Sequence, residues 1–261
     1  MVNCCNLLGA VLVSGFVETG VDSKYLSYGL VDNPEPIMRT SASLLLEEWV
    51  SFGYSLLNDL TDYGRRATYT SRCGRWTELD PGVSLVHSIG MIDWTLGWSG
   101  EYHPAAMGHK AGDWGESTQF VNASIGATEL FLEPTLTFER DVQRDQGSYL
   151  NLEIGHDFPC GLEGVMLRPS VSQGWGDCRR VGAYLMDGTA HPLRRCGLMD
   201  LAGKLALTWQ ITETLAFSGY IGISDYAFDP VLRSAARRYE VTGHHRTHSV
   251  CFGGLAVKLA F

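Results

Sequence analysis

Apolar and polar residues alternate along most of the chain with a period of two, and almost nowhere with the 3.6-residue period of an amphipathic helix. In the last segment Cys251, Gly253, Leu255, Val257, Leu259 and Phe261 share one face, while Lys258 and Ala260 end the other. Leu215, Phe217, Gly219 and Ile221 oppose Ala216, Ser218, Tyr220 and Gly222 in the same way, and Met199, Leu201, Leu205, Leu207 and Trp209 oppose Asp200, Lys204, Thr208 and Gln210. Upstream, Leu150, Leu152 and Ile154 oppose Tyr149, Asn151 and Glu153, and Ile92, Trp94, Leu96 and Trp98 oppose Asp93, Thr95 and Ser99. The first strand reads as Val17, Thr19, Val21 and Tyr25 against Glu18, Asp22 and Lys24. Twelve such segments are predicted, each near the ~9 to 11 residues that a tilted strand needs to cross a bilayer.

The connections between them alternate in length. Tight turns fall near Trp49, near Gly90 and at residues 129–133, 159–163 and 212–214. The other set includes residues 61–75, 102–117, 175–196 and 225–247, with two short members at 32–35 and 143–147. Consecutive connections of a closed antiparallel sheet lie on opposite rims, so one rim is trimmed and the other elaborate, an asymmetry of outer-membrane barrels. The expected fold is all-β, a closed antiparallel up-and-down transmembrane β-barrel of about 12 strands. Residues 16–261 are read as one barrel domain. Residues 1–15 are read as an N-terminal segment, a remnant of a signal or a periplasmic start: stretch 7–16 is apolar, but no lysine or arginine precedes it and no Ala-x-Ala follows.

Composition narrows the picture further. The mean hydropathy is −0.03, and no stretch approaches the ~18 to 20 apolar residues of a membrane-spanning helix. In hydrocarbon every backbone polar group must be paired internally, which leaves the closed barrel as the spanning form. A net charge of −9 argues against nucleic acid as a partner. The polar faces carry Gly, Ser, Thr and Asn rather than the lysine and glutamate of a soluble β-sandwich, and that suits a polar lumen. The seven cysteines include no C-x-x-C pair. Cys178 and Cys196 bracket an arginine-rich stretch and would close a loop disulfide in an oxidising compartment.

The final residues, Leu255, Val257, Leu259 and the terminal Phe261, resemble the C-terminal assembly signal of Gram-negative outer-membrane β-barrels. Stretches such as Asp22-Ser23-Lys24-Tyr25 are similar to those of uncharacterised porin-like members of that class. The resemblance implies an integral outer-membrane location and insertion by the barrel assembly machinery. It implies no substrate.

With the polar faces turned inward, the expected pore lining is acidic. Its acids are Glu18, Asp22, Asp59, Glu78, Asp80, Asp93, Glu101, Glu139, Asp141, Glu153 and Asp200, and its bases are Lys24, Arg39, Arg168, Lys204 and Lys258. That balance predicts a cation-leaning path for small polar solutes. A closed polar core that stiffens a narrow barrel is the alternative. Residues 182–187 are expected to fold inward as a constriction. Most arginines fall on the elaborate rim. Arg65, Arg66, Arg179, Arg180, Arg194, Arg195, Arg237 and Arg238 there are candidates for holding lipopolysaccharide phosphates or an anionic solute, or simply hydrated loop charge. Trp49, Tyr54, Trp76, Trp94, Trp98, Trp209 and Tyr226 are expected at the interfacial girdles. His103, His109, His244, His245 and His248 are read as ordinary loop histidines, so neither a metal nor a cofactor is expected, and no catalytic residue is assigned. A non-conducting barrel that binds a partner through its loops, and an outer-membrane hydrolase, are the competing expectations.

Overall fold

The computed structural model describes residues 12–61, 76–103, 117–185, 191–236 and 249–261. In chain order its elements are β1 (Val13–Asp22), β2 (Tyr25–Ser27), β3 (Leu30–Asn33), β4 (Ile37–Leu46), β5 (Val50–Asp59), β6 (Trp76–Ile89), β7 (Ile92–Glu101), β8 (Thr118–Gly126), β9 (Thr135–Asp141), β10 (Ser148–Gly155), β11 (Phe158–Pro159), β12 (Val165–Gly176), α1 (Cys178–Tyr184), β13 (Gly197–Gln210), β14 (Leu215–Asp225), α2 (Pro230–Ala236) and β15 (Ser249–Ala260). Leaving aside the short β2, β3 and β11, each strand pairs antiparallel with the next along the chain, and β1 pairs with both β4 and β15, which closes a twelve-stranded barrel. Following register partners once around the ring returns to β1 about 16 residues further along. With ~3.3 Å of rise per residue and ~4.8 Å between strands, that stagger tilts the strands by about 40° and sets a backbone diameter of about 25 Å.

The period-two pattern becomes two faces. Leu255 is 73% exposed and Ile221 67% exposed, a cost in water that vanishes when the outer face meets lipid. Opposite them Ser41, Ser55, Gly82, Ser99, Asn122, Thr137 and Ser172 point inward by register. Closed antiparallel barrels with such a belt are the outer-membrane type, and the geometry of its own wall makes this chain an integral protein of the outer membrane. Trp49, Tyr54, Trp76, Trp98 and Trp209 stand outward and exposed as the girdle expectation has it. No described helix is long and apolar enough to cross a membrane.

The trimmed rim is built from tight turns. Ile89 pairs with Ile92 across Gly90 and Met91, and Gly90 takes φ +60° at the first central position, where a two-residue hairpin calls for glycine. The seam closes on the same rim. Gly15 and the terminal Phe261 exchange both backbone hydrogen bonds, at 2.9 Å each.

Three expectations need correction. The first strand does not run on through Lys24 and Tyr25: β1 spans Val13–Asp22, beginning ahead of the expected boundary at residue 16. The connection expected to be short at residues 32–35 instead holds the hairpin β2–β3, which pairs with no wall strand in the described residues. Met199, read as outward, is fully buried, because the β12–β13 register shifts between Gln173 and Trp175. A bulge there turns the local strand inward.

Candidate functional site

The rim opposite the trimmed one, here the mouth, is packed from three connections far apart in sequence. Leu30 of β3, Val181 and Leu185 of the α1 segment, Met199 of β13, Tyr226, and Leu232 and Ala235 of α2 form one buried apolar cluster. Each piece has a local cause. Ser27 pairs with Leu30 across Tyr28 and Gly29, and both central residues have positive φ, +48° and +77°, the type I′ geometry that matches hairpin twist. Asp177 caps α1 by accepting from the Arg179 and Arg180 N–H groups. Asp229 does the same for Val231 and Leu232, with Pro230 at the first helical position, where its missing N–H costs nothing. Tyr226, expected at a girdle, lies instead in this core and donates its hydroxyl to the Tyr28 carbonyl at 2.6 Å.

Arg180 is the centre of the polar part. It is wholly enclosed. Its guanidinium is 3.3 Å from Glu139 of β9, 3.5 Å from Asp145, and 4.7 Å from the centre of the Tyr28 ring, and it donates to the Tyr28 hydroxyl at 2.9 Å. Tyr28 in turn donates to Glu139. Burial raises the Tyr28 phenol above its ordinary pKa, the Glu139 charge adds to that, and it stays a neutral donor. Burial likewise raises Asp145, against the opposing pull of the Gly147 N–H and Arg180. So Arg180 is no exposed anion ligand. It is the internal counter-ion that joins α1, the β2–β3 hairpin and the wall, and the unfavourable φ of Tyr28 is held by these contacts.

By register, fifteen of the sixteen expected lining residues stand on the inner face of the wall strands, Lys24 being the exception, since it lies in the turn between β1 and β2. They are not alike. At the mouth end Asp22, Asp59, Glu78, Asp141 and Asp200 are buried and mostly engaged: Tyr220 donates to Asp22, Tyr149 to Asp200 and Asn33 to Asp59. Toward the trimmed rim Glu153, Lys204, Lys258 and the small residues around them are only partly buried or exposed, and Lys258 rests on the Phe16 ring at 4.3 Å. Near that rim Glu133 binds Arg168 and His156, and the Arg168 hydrogen bond holds the Glu133 carboxyl below its ordinary pKa. Among the described residues the inner face is therefore polar, buried at its mouth end and partly exposed toward the trimmed rim. Of the segment 182–187 expected to constrict it, Gly182 to Leu185 do fold in; the rest lies outside the described residues.

On the mouth side of β6 and β7 the ladder continues one residue beyond β7, with Leu79 and Tyr102 exchanging two backbone hydrogen bonds. That sets Asp80 across from Glu101 and Glu78 across from His103 on the inner face. His103, read as a loop histidine, is hydrogen-bonded to Glu101 at 2.6 Å and lies 3.7 Å from Glu78. Burial alone would lower its pKa, but Glu101 and Glu78 raise it. The grouping escaped sequence reading because it requires the β6–β7 register; the signal present was two inward positions at i and i+2 on each strand.

Of the arginine candidates, Arg179 and Arg194 are exposed, Arg195 is committed to Asp229 at 2.8 Å, and Arg65, Arg66, Arg237 and Arg238 lie outside the described residues. So do His109, His244, His245 and His248. Cys178 and Cys196 stand as free thiols, not as the expected disulfide.

No family model matches the chain, and no curated protein matches it. Among solved structures it is similar to an outer membrane channel from Pseudomonas putida F1 (8% identity, 97% of each chain covered, TM-score 0.46). It is also similar to outer membrane phospholipase A from Escherichia coli (10% identity, 94% of this chain and 92% of that one, TM-score 0.43) and to OmpT, an outer membrane protein of Vibrio cholerae (6%, 96% and 97%, TM-score 0.38). None of these three likenesses reaches a TM-score of 0.5, and they say nothing of what this chain does.

Proposed function

We propose that the chain is a porin-like channel for passive diffusion of small polar or charged solutes, cation-leaning, narrowed at its mouth by the β2–β3 hairpin and α1, with no catalytic residue. The observation that supports this is the inner face: small polar residues left open toward the trimmed rim, with inward acids in excess of inward bases. Fixed carboxylates along a narrow wet path raise the local concentration of cations. The trimmed rim would face the periplasm. Outward Leu255, Val257, Leu259 and Phe261 would be read by the barrel assembly machinery, and exposed Arg179 and Arg194 would meet lipopolysaccharide phosphates. Refolded protein in a planar bilayer under a salt gradient should give discrete current steps with a reversal potential on the cation side, and Glu153→Lys should move that potential toward zero. Silence from protein shown to be folded and inserted would overturn the channel. The mouth core specifically favours one second reading, a non-conducting barrel that binds a partner through its loops, and silence would transfer support to it.

A further inference from the structure

We propose that Glu78, Glu101 and His103 form a binding site for a divalent first-row transition-metal ion at the mouth of the barrel. One donor atom from each side chain lies within 4.8 Å of the others, and all three project from adjacent, mutually hydrogen-bonded backbone, so the donor set is built into the wall. His103 Nδ1 lies 3.7 Å from Glu78 Oε2. That is beyond a hydrogen bond, and within the span of two donors that each sit ~2.1 Å from a shared ion.

The surroundings point the same way. Tyr25 of the inward hairpin donates to Glu78 Oε1 at 2.9 Å, which fixes that carboxylate and turns Oε2 toward His103, the part an outer partner plays around a metal ligand. Asp80, next inward on β6, has its Oδ1 enclosed with no hydrogen-bond partner, although three carboxylates crowd this corner. Among the described residues no lysine or arginine forms an ion pair with Glu78, Asp80 or Glu101. One imidazole with two carboxylates suits zinc or manganese; among the described residues no thiolate joins the group to favour softer ions. Because Tyr25 belongs to the β2–β3 hairpin, a bound ion would also fasten that hairpin to the wall.

The test is calorimetric titration of the refolded full-length protein, freed of metal by chelator, with zinc chloride. One saturable equivalent is expected, together with a rise in the thermal midpoint that reverses on adding EDTA, since an ion that binds only the folded form stabilises it. His103→Ala and Glu78→Gln should each weaken binding at least tenfold and Tyr25→Phe by a smaller factor, while Glu163→Gln, in an exposed turn on the opposite rim, leaves metal binding as it was. Each variant is first shown to be folded by its heat-dependent migration on gels. No saturable binding by folded protein would overturn the site. So would binding that survives both His103→Ala and Glu78→Gln but is lost on replacing His244, His245 and His248.

Discussion

Arg180 shows how far one side chain's role depends on where its backbone is placed. Arg179 and Arg180 are indistinguishable in sequence, yet the Asp177 cap fixes the phase of α1 so that Arg179 faces outward and reaches Gln146 at 2.9 Å while Arg180 turns into the mouth. Removing this buried cation leaves Glu139 and Asp145 without their counter-ion, a loss of the kind that costs up to about 3–5 kcal/mol. Arg180→Met should therefore release the mouth without opening the wall. Amides of residues 25–33 and 178–185 are expected to exchange with solvent at least a hundredfold faster, those of the wall strands at their former rate. Unchanged protection at the mouth would refute the counter-ion role. Tyr25, Met199 and Tyr226 were misread at this same scale, because alternation cannot tell an apolar side chain that meets lipid from one that meets an internal core.

Strands were legible where turns and alternation agree, as at Gly90 and along β13 to β15, because a period of two has only one inward solution once one face is lipid. The inward-folded pieces were not. The β2–β3 hairpin is too short to show a period, and α1 and α2 are each seven residues long, less than is needed for a helical stripe to stand out. The trimmed-rim turns carry a pH-dependent bond of their own. The Glu133 carboxyl has a lower pKa folded than unfolded, so its contribution is complete above the ordinary glutamate range, near 4.3, and is lost as pH falls through the depressed folded value. The thermal midpoint of the native chain should thus exceed that of Glu133→Gln at pH 6, and the two should converge as pH falls to about 3. A constant gap across that range would show that the Arg168 bond is not the source.

For the whole molecule the decisive feature is closure. With both backbone bonds of the seam made at Gly15 and Phe261, and the Phe261 ring lying against the spot where Gly15 has no side chain, the last residue both completes the ring and displays an exposed aromatic. If it also serves as an assembly signal, Phe261→Ala should sharply lower the amount inserted in cells yet leave refolding in detergent nearly intact. Equal insertion of the two chains in cells would remove that role. Strand number, parity of the connections and the inward set of charged residues were readable from the chain because each follows from local alternation. The square at Glu78, Asp80, Glu101 and His103, and the Arg180 cluster, depend on register between strands and on contacts over more than a hundred residues, which no local pattern encodes.

The mouth core has a consequence for the order of events. Leu30, Val181 and Leu232 come from opposite ends and the middle of the chain, so no pair of them can meet cheaply until the wall between them exists; the entropy of closing those loops is met by strand pairing. The core is then expected to condense with no long loop left to close, last to form and first to come apart, so that protection of the mouth amides in refolding should appear only after that of the wall strands.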